Sequence, residues 1–168
     1  MSNILFIVCP FSVMENTLKR QFGSNSYFLS CPGAIIPYND QSFIDVMKES
    51  IIINNVTSIY LVNDRSCSII NNVILHQTLH GLEAEYLIQS LYVEAYKKAF
   101  IGRSLIYQQF RLAELNVQFQ KNEILTNGVF TNLILDEKIT VKSLVTDKAL
   151  RIFKESRVSS FVKTTYEL

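Results

Sequence analysis

The sequence predicts an α/β fold: a mostly parallel sheet of about four strands with an antiparallel C-terminal extension, flanked by helices. Strand and helix signals alternate as βαβαβ through the first half, the pattern that makes a parallel sheet with right-handed crossovers. The opening strand is a continuous apolar run, Ile4-Leu5-Phe6-Ile7-Val8, as expected where both faces of a strand are covered. All three cysteines, Cys9, Cys31 and Cys67, fall at or just past the carboxyl ends of predicted strands. Open α/β sheets gather ligands and chemistry there.

The elements follow in order. The first strand covers residues 4–9, and Pro10 with the turn after it leads to a short helix over 13–21, stopped before Gly23. A second strand, 27–30, ends at Cys31-Pro32-Gly33. Asp40 or Ser42 can cap a helix over 43–54, in which Ile44, Met47, Ile51 and Ile52 share one face. The third strand, 58–62, is followed by Asn63-Asp64-Arg65-Ser66 and a helix over 67–76. Gly81 separates that helix from a longer one over 82–100, which Ile101-Gly102 breaks. Residues 104–125 carry apolar side chains on more than one stripe, which predicts a well-buried helix. Two apolar stretches, 129–135 and 138–144, flank Asp136-Glu137 and predict a hairpin. A short terminal helix over 148–156 completes the reading.

Length and composition favour one domain spanning residues 1–168. Hydrophobic residues make up 48% and charged residues 18%, which identifies a folding chain and not a disordered one. The net charge of +1 and the scatter of the basic residues argue against nucleic acid and acidic membrane as partners. No apolar run approaches the roughly 18–20 residues that span a bilayer. The N-terminus enters a strand at once, unlike a signal peptide, and three widely spaced cysteines make no disulfide framework. A reduced, cytoplasmic protein is expected.

If the first and third strands are neighbours, Cys9 faces Asp64 and Cys67 across one crevice. Thiolate sulfur and carboxylate oxygen both ligate zinc, so Cys9, Asp64 and Cys67 are the candidate metal ligands. The competing reading makes Cys9 a core residue, packs Cys67 at a helix start, and has Asp64 cap that helix or pair with Arg65. A third reading gives Cys67 thiol chemistry, favoured by a helix N-terminus and Arg65. His76 and His80, four apart, are a further candidate metal pair, although the helix dipole alone favours histidine in a last turn.

The segments Ile7-Val8-Cys9-Pro10-Phe11-Ser12-Val13 and Val62-Asn63-Asp64-Arg65-Ser66-Cys67-Ser68-Ile69 resemble, in order and spacing, two motifs of the β-class carbonic anhydrases. In that family a Cys-x-Asp-x-Arg motif closes the first strand and a His-x-x-Cys motif follows the third. Phe28-Leu29-Ser30-Cys31-Pro32-Gly33-Ala34 looks like the family's strand ending in Arg-Asn-Ala-Gly. The segment Ala113-Glu114-Leu115-Asn116-Val117-Gln118-Phe119-Gln120 is similar to its helix around Asn-Val-x-x-Gln. The resemblance covers nearly the whole chain, without the family's N-terminal helical arm. It implies a β-carbonic anhydrase-like fold, a homodimer, zinc as cofactor, and carbon dioxide, bicarbonate or another small anion as ligand.

The departures shape the functional expectation. Cys9 and Cys67 fall on the two cysteine-ligand positions, Asp64 stands where the family has histidine, and Cys31 falls on a position that is no ligand. The family's Asp-Arg dyad becomes Phe11 and Val13, which neither hydrogen-bond nor carry charge. A third anionic ligand would also weaken zinc as a Lewis acid and raise the pKa of its bound water. The expectation is therefore a diverged carbonic anhydrase-like protein without efficient carbon dioxide hydration. The alternative is an active zinc lyase using a Cys-Asp-Cys site.

Overall fold

A computed structural model describes residues 2–77 and 81–156 of the chain. Five strands form one sheet in the order β2-β1-β3-β4-β5. They are β1 (Ile4–Val8), β2 (Ser26–Ser30), β3 (Ser58–Asp64), β4 (Thr140–Asp147) and β5 (Ile152–Glu155). The first four run parallel, and β5 pairs antiparallel with β4. The helices are α1 (Glu15–Phe22), α2 (Gln41–Ile53), α3 (Ser68–Ile74), α4 (Glu83–Ala95), α5 (Leu105–Thr126) and α6 (Gly128–Asp136). The predicted fold class is therefore the observed one. Among the described residues no helix is long and apolar enough to cross a membrane.

The two faces of the sheet are covered unequally. Leu5, Ile7, Ile59, Leu61, Val141 and Val145 point into a large core that also takes in side chains of helices α2 to α6. Ile4, Phe6, Val8, Tyr60, Val62 and Leu144 point the other way, onto Met14 and Leu18. An aromatic group anchors this smaller side: the Phe6 ring lies 5.2 Å from Phe22, 5.4 Å from Phe28 and 5.3 Å from Tyr60. The period-two alternation of a strand produces this division, and it continues to the strand ends.

Local signals explain most element boundaries. Asp40 caps α2 by accepting the Phe43 N–H at 3.1 Å, as one of the two sequence candidates. Ser104 caps α5 by accepting from Tyr107. The predicted 82–100 helix is α4 followed by a wider π turn, Tyr96–Phe100, that rolls the buried Phe100 inward.

Two expectations near the C-terminus are corrected. Residues 129–135 belong to helix α6, not to the first arm of a hairpin. Asn127 caps this helix by accepting the Val129 N–H, and Phe130 and Ile134, four apart, are buried on one face. The second arm is β4, which pairs parallel with β3 along its length. Residues 148–156 are not a helix. Asp147 accepts the Ala149 and Leu150 N–H groups in a tight turn, Arg151 adopts φ +54°, and the chain returns as β5.

Candidate functional site

The site lies at the carboxyl ends of β1 and β3, where two sulfurs meet. Cys9 follows β1, and its carbonyl is held by the Ser12 N–H and by the Ser12 hydroxyl at 2.7 Å. Cys67 is the residue before α3, and its N–H donates to the Asp64 carbonyl at 3.0 Å. The resulting turns aim both side chains into the large core. The Cys67 thiol donates to Cys9 Sγ at 3.3 Å, and neither residue exposes any surface.

The Cys9 sulfur also receives the Gly33 N–H at 3.2 Å. Donation from Cys67 lowers the Cys9 pKa; burial opposes this, and the N–H groups of Phe11, Gly33 and Ala34 assist it. Cys67 shifts upward as the donor of the pair, and burial adds to the shift. Buried and protonated, Cys67 presents no exposed, activated thiolate to a substrate arriving from solution. Cys31, 3% exposed, is pushed up to about 12 by burial, with the Cys9 charge behind it.

The Cys31–Ile36 loop that brings the Gly33 and Ala34 N–H groups to Cys9 is fastened by buried amides. Asn63 and Asn116 both donate to the Gly33 carbonyl, at 3.2 and 2.7 Å, and Asn116 also donates to Asn63 Oδ1. Gln120 accepts the Ile36 N–H at 3.3 Å. Asn116 and Gln120 are four apart on α5 and so reach the same loop. Gly33 adopts φ +66°, and a Cβ there would lie 2.9 Å from Ile88 Cδ1, so glycine fits both the turn and the packing.

Asp64 is placed differently from the sequence expectation. Along β3, Ile59, Leu61 and Asn63 share the face of the thiols, whereas Tyr60, Val62 and Asp64 belong to the opposite face. The Asp64 carboxylate accordingly meets β4 and not the sulfurs. Its Oδ1 accepts the Ser66 N–H at 2.9 Å and the Ser66 hydroxyl. Its Oδ2 accepts the Thr146 hydroxyl at 2.7 Å and the Lys148 N–H at 2.9 Å. Four donors occupy a fully buried carboxylate.

Arg65 pairs with Asp147 and not with Asp64, and donates to Gln109 at 2.9 Å. Burial acts to raise the Asp147 pKa, but the Arg65 guanidinium and the Leu150 and Ala149 N–H groups outweigh it and hold the carboxyl below its ordinary value. Sequence reasoning does not single out Asn63, Thr146 or Lys148. For Asn63 the available signal is an amide ending an otherwise apolar strand; Thr146 falls just past the predicted 138–144 strand, and Lys148 opens the misread 148–156 segment.

Two sulfurs on one face and an engaged carboxylate on the other do not fit a zinc ion, which takes at least three protein donors. Among the described residues no group of three or more His, Cys, Asp and Glu side chains is placed to hold a metal. The dyad positions carry exposed apolar side chains, Phe11 at 46% and Val13 at 67%. His76 lies beyond the end of α3 and is exposed; His80 lies outside the described residues. Beside the loop, a cavity of about 410 Å³ is lined by Pro32, Ile35, Tyr38, Leu87, Phe119 and Glu123, among others.

No family profile and no curated protein matches the sequence. Solved structures do. A tetrameric β-carbonic anhydrase from Sordaria macrospora superposes with a TM-score of 0.77 at 16% identity, covering 92% of this chain and 80% of that one. A mutant of a β-carbonic anhydrase from Aspergillus fumigatus gives 0.78 at 14% identity, covering 94% and 90%. A Coccomyxa β-carbonic anhydrase in complex with acetazolamide gives 0.68 at 16% identity, covering 92% and 71%. At these identities the likeness establishes the fold: the chain has the β-carbonic anhydrase architecture.

Asp64→Asn keeps one acceptor oxygen and turns an NH2 group toward donors. In protein treated with a chelator, urea unfolding should show a loss of roughly 2–4 kcal/mol. A loss under about 0.5 kcal/mol would remove the carboxylate from the architecture of the sheet. Cys31 generates a pH dependence. Its thiol ionises near 8.5 in the unfolded chain and at about 12 in the fold, so the folded state holds the proton more tightly. The stabilisation is whole below about 8.5 and is lost as pH rises toward 12. By pH 10 wild type should have lost roughly 2 kcal/mol relative to Cys31→Ala, and parallel pH profiles for the two proteins would contradict this.

Proposed function

We propose that the chain is a carbonic anhydrase-like protein that does not hydrate carbon dioxide efficiently, with the strand-end region converted from a metal centre into a hydrogen-bonded core. One observation carries the reading: the carboxylate expected to be the third ligand accepts four hydrogen bonds on the face of the sheet away from the thiols. A zinc-bound hydroxide also needs a group to orient it and take part in proton movement. The exposed Phe11 and Val13 offer neither function.

The role left to such a fold is binding. The cavity beside the Cys31–Ile36 loop has a volume within the small-molecule range, and its lining includes Glu83 and Glu123 but, among the described residues, no lysine or arginine. This chemistry favours a small neutral ligand over bicarbonate or another anion. Self-association, as a homodimer, is part of the proposal. It is supported by the tetrameric Sordaria proteins of like fold and by exposed Val93, Tyr96, Ile101, Leu105 and Ile106 around the turn between α4 and α5.

The second reading, an active zinc lyase with Cys9, Asp64 and Cys67 as ligands, draws on the meeting of the two sulfurs. It requires Asp64 to abandon its four donors and cross to the other face of the strand.

Metal analysis of protein purified without chelator, with stopped-flow measurement of carbon dioxide hydration, separates the two. The proposal predicts far less than one zinc per chain and a hydration rate no higher than buffer alone. About one zinc per chain, lost together with hydration activity in Cys67→Ser, would establish the lyase instead.

A further inference from the structure

We propose that Cys9 and Cys67 are a redox pair that closes to a disulfide, a staple joining the end of β1 to the start of α3. The two sulfurs are in direct contact at 3.3 Å, so bonding at about 2.05 Å requires an approach of roughly 1.3 Å. Both backbones are fixed by local hydrogen bonds, Cys9 through Ser12 and Cys67 through Asp64 and Asn71. Both side chains are fully buried in the packed core, which keeps the two sulfurs together. Cys31 is buried nearby, but the 3.3 Å sulfur contact belongs to Cys9 and Cys67 alone.

The oxidant is a peroxide. Hydrogen peroxide oxidises Cys9, the sulfur that accepts hydrogen bonds from the Cys67 thiol and the Gly33 N–H, to a sulfenic acid and releases one water. The Cys67 thiol then attacks that sulfur: the S–S bond forms, the S–O bond breaks, and hydroxide leaves with the thiol proton as a second water. Each sulfur gives up one electron overall, and the two peroxide oxygens take up the pair. Burial favours small, uncharged hydrogen peroxide over the far larger, charged glutathione disulfide as the oxidant. The two residues are 58 positions apart, so the bond constrains a long stretch of the unfolded chain and favours the fold.

The proposal rests on the metal-free reading of the site, since zinc held by both sulfurs would protect them. The experiment therefore measures zinc first, then exposes the reduced full-length protein, with and without prior chelation, to hydrogen peroxide. The protein is next unfolded, alkylated with iodoacetamide and digested for mass spectrometry. The expected result, in both samples, is a peptide pair linked through Cys9 and Cys67, alkylation at Cys31 alone, and recovery of three alkylated cysteines after dithiothreitol. Cys31→Ser should form the same link. Three alkylated cysteines, a link through Cys31, or irreversible oxidation without a link in zinc-free protein would overturn the proposal. A link that forms only after chelation, in protein that carried zinc, would uphold the redox pair and sink the metal-free reading.

Discussion

At the carboxyl end of β3 the pleat sends Asn63 to one face of the sheet and Asp64 to the other, and the local architecture depends on that division. Asn63 joins Asn116 in holding the Gly33 carbonyl, which turns the Gly33 N–H toward Cys9. Asp64 holds the Thr146 hydroxyl and the Lys148 N–H, fixing where β4 ends and the chain turns back into β5. Neighbouring side chains thus fasten opposite layers. Exchanging their roles would require a shift of one residue along the strand, and with it every apolar side chain of β3 would change face.

On the proposed reading, the same division accounts for a zinc-enzyme spacing beside a carboxylate that is turned away from the sulfurs. Cys9 continues the inward alternation of Leu5 and Ile7, and Cys67 enters from the turn before α3, so the two sulfurs meet as the motif spacing implies. The third position sits on a strand and obeys the pleat. A buried carboxylate there costs several kcal/mol unless its oxygens are satisfied, and Ser66, Thr146 and Lys148 satisfy them. The proposed loss of anhydrase chemistry follows from those partners and from the apolar residues at the dyad positions.

Much of the fold was legible in the sequence because local signals and global pattern agree there. The apolar run of β1, the Asp40 cap of α2 and the Cys31-Pro32-Gly33 break all appear where they were read. The Asn116 and Gln120 pair, recognised through its resemblance to a family helix, fastens the loop of Gly33. Residues 129–135 were not legible, since a short apolar stretch rich in β-branched and aromatic side chains suits a strand or a buried helix equally. Only the Asn127 cap and the burial of Phe130 with Ile134 decide it. The site was half legible for a related reason. Spacing brings the sulfurs together, but the face to which Asp64 points depends on the register of β3 against β1 and β4, which spacing does not encode.

Calorimetry of the reduced protein reads out whether Asp64 serves the sheet and leaves the thiols without a third ligand. A metal that binds only the folded state raises the melting temperature, and its removal lowers it. Protein as purified, after chelation, and after one equivalent of zinc is added back should melt at the same temperature. A melting temperature that falls by several degrees on chelation and returns with zinc would contradict it.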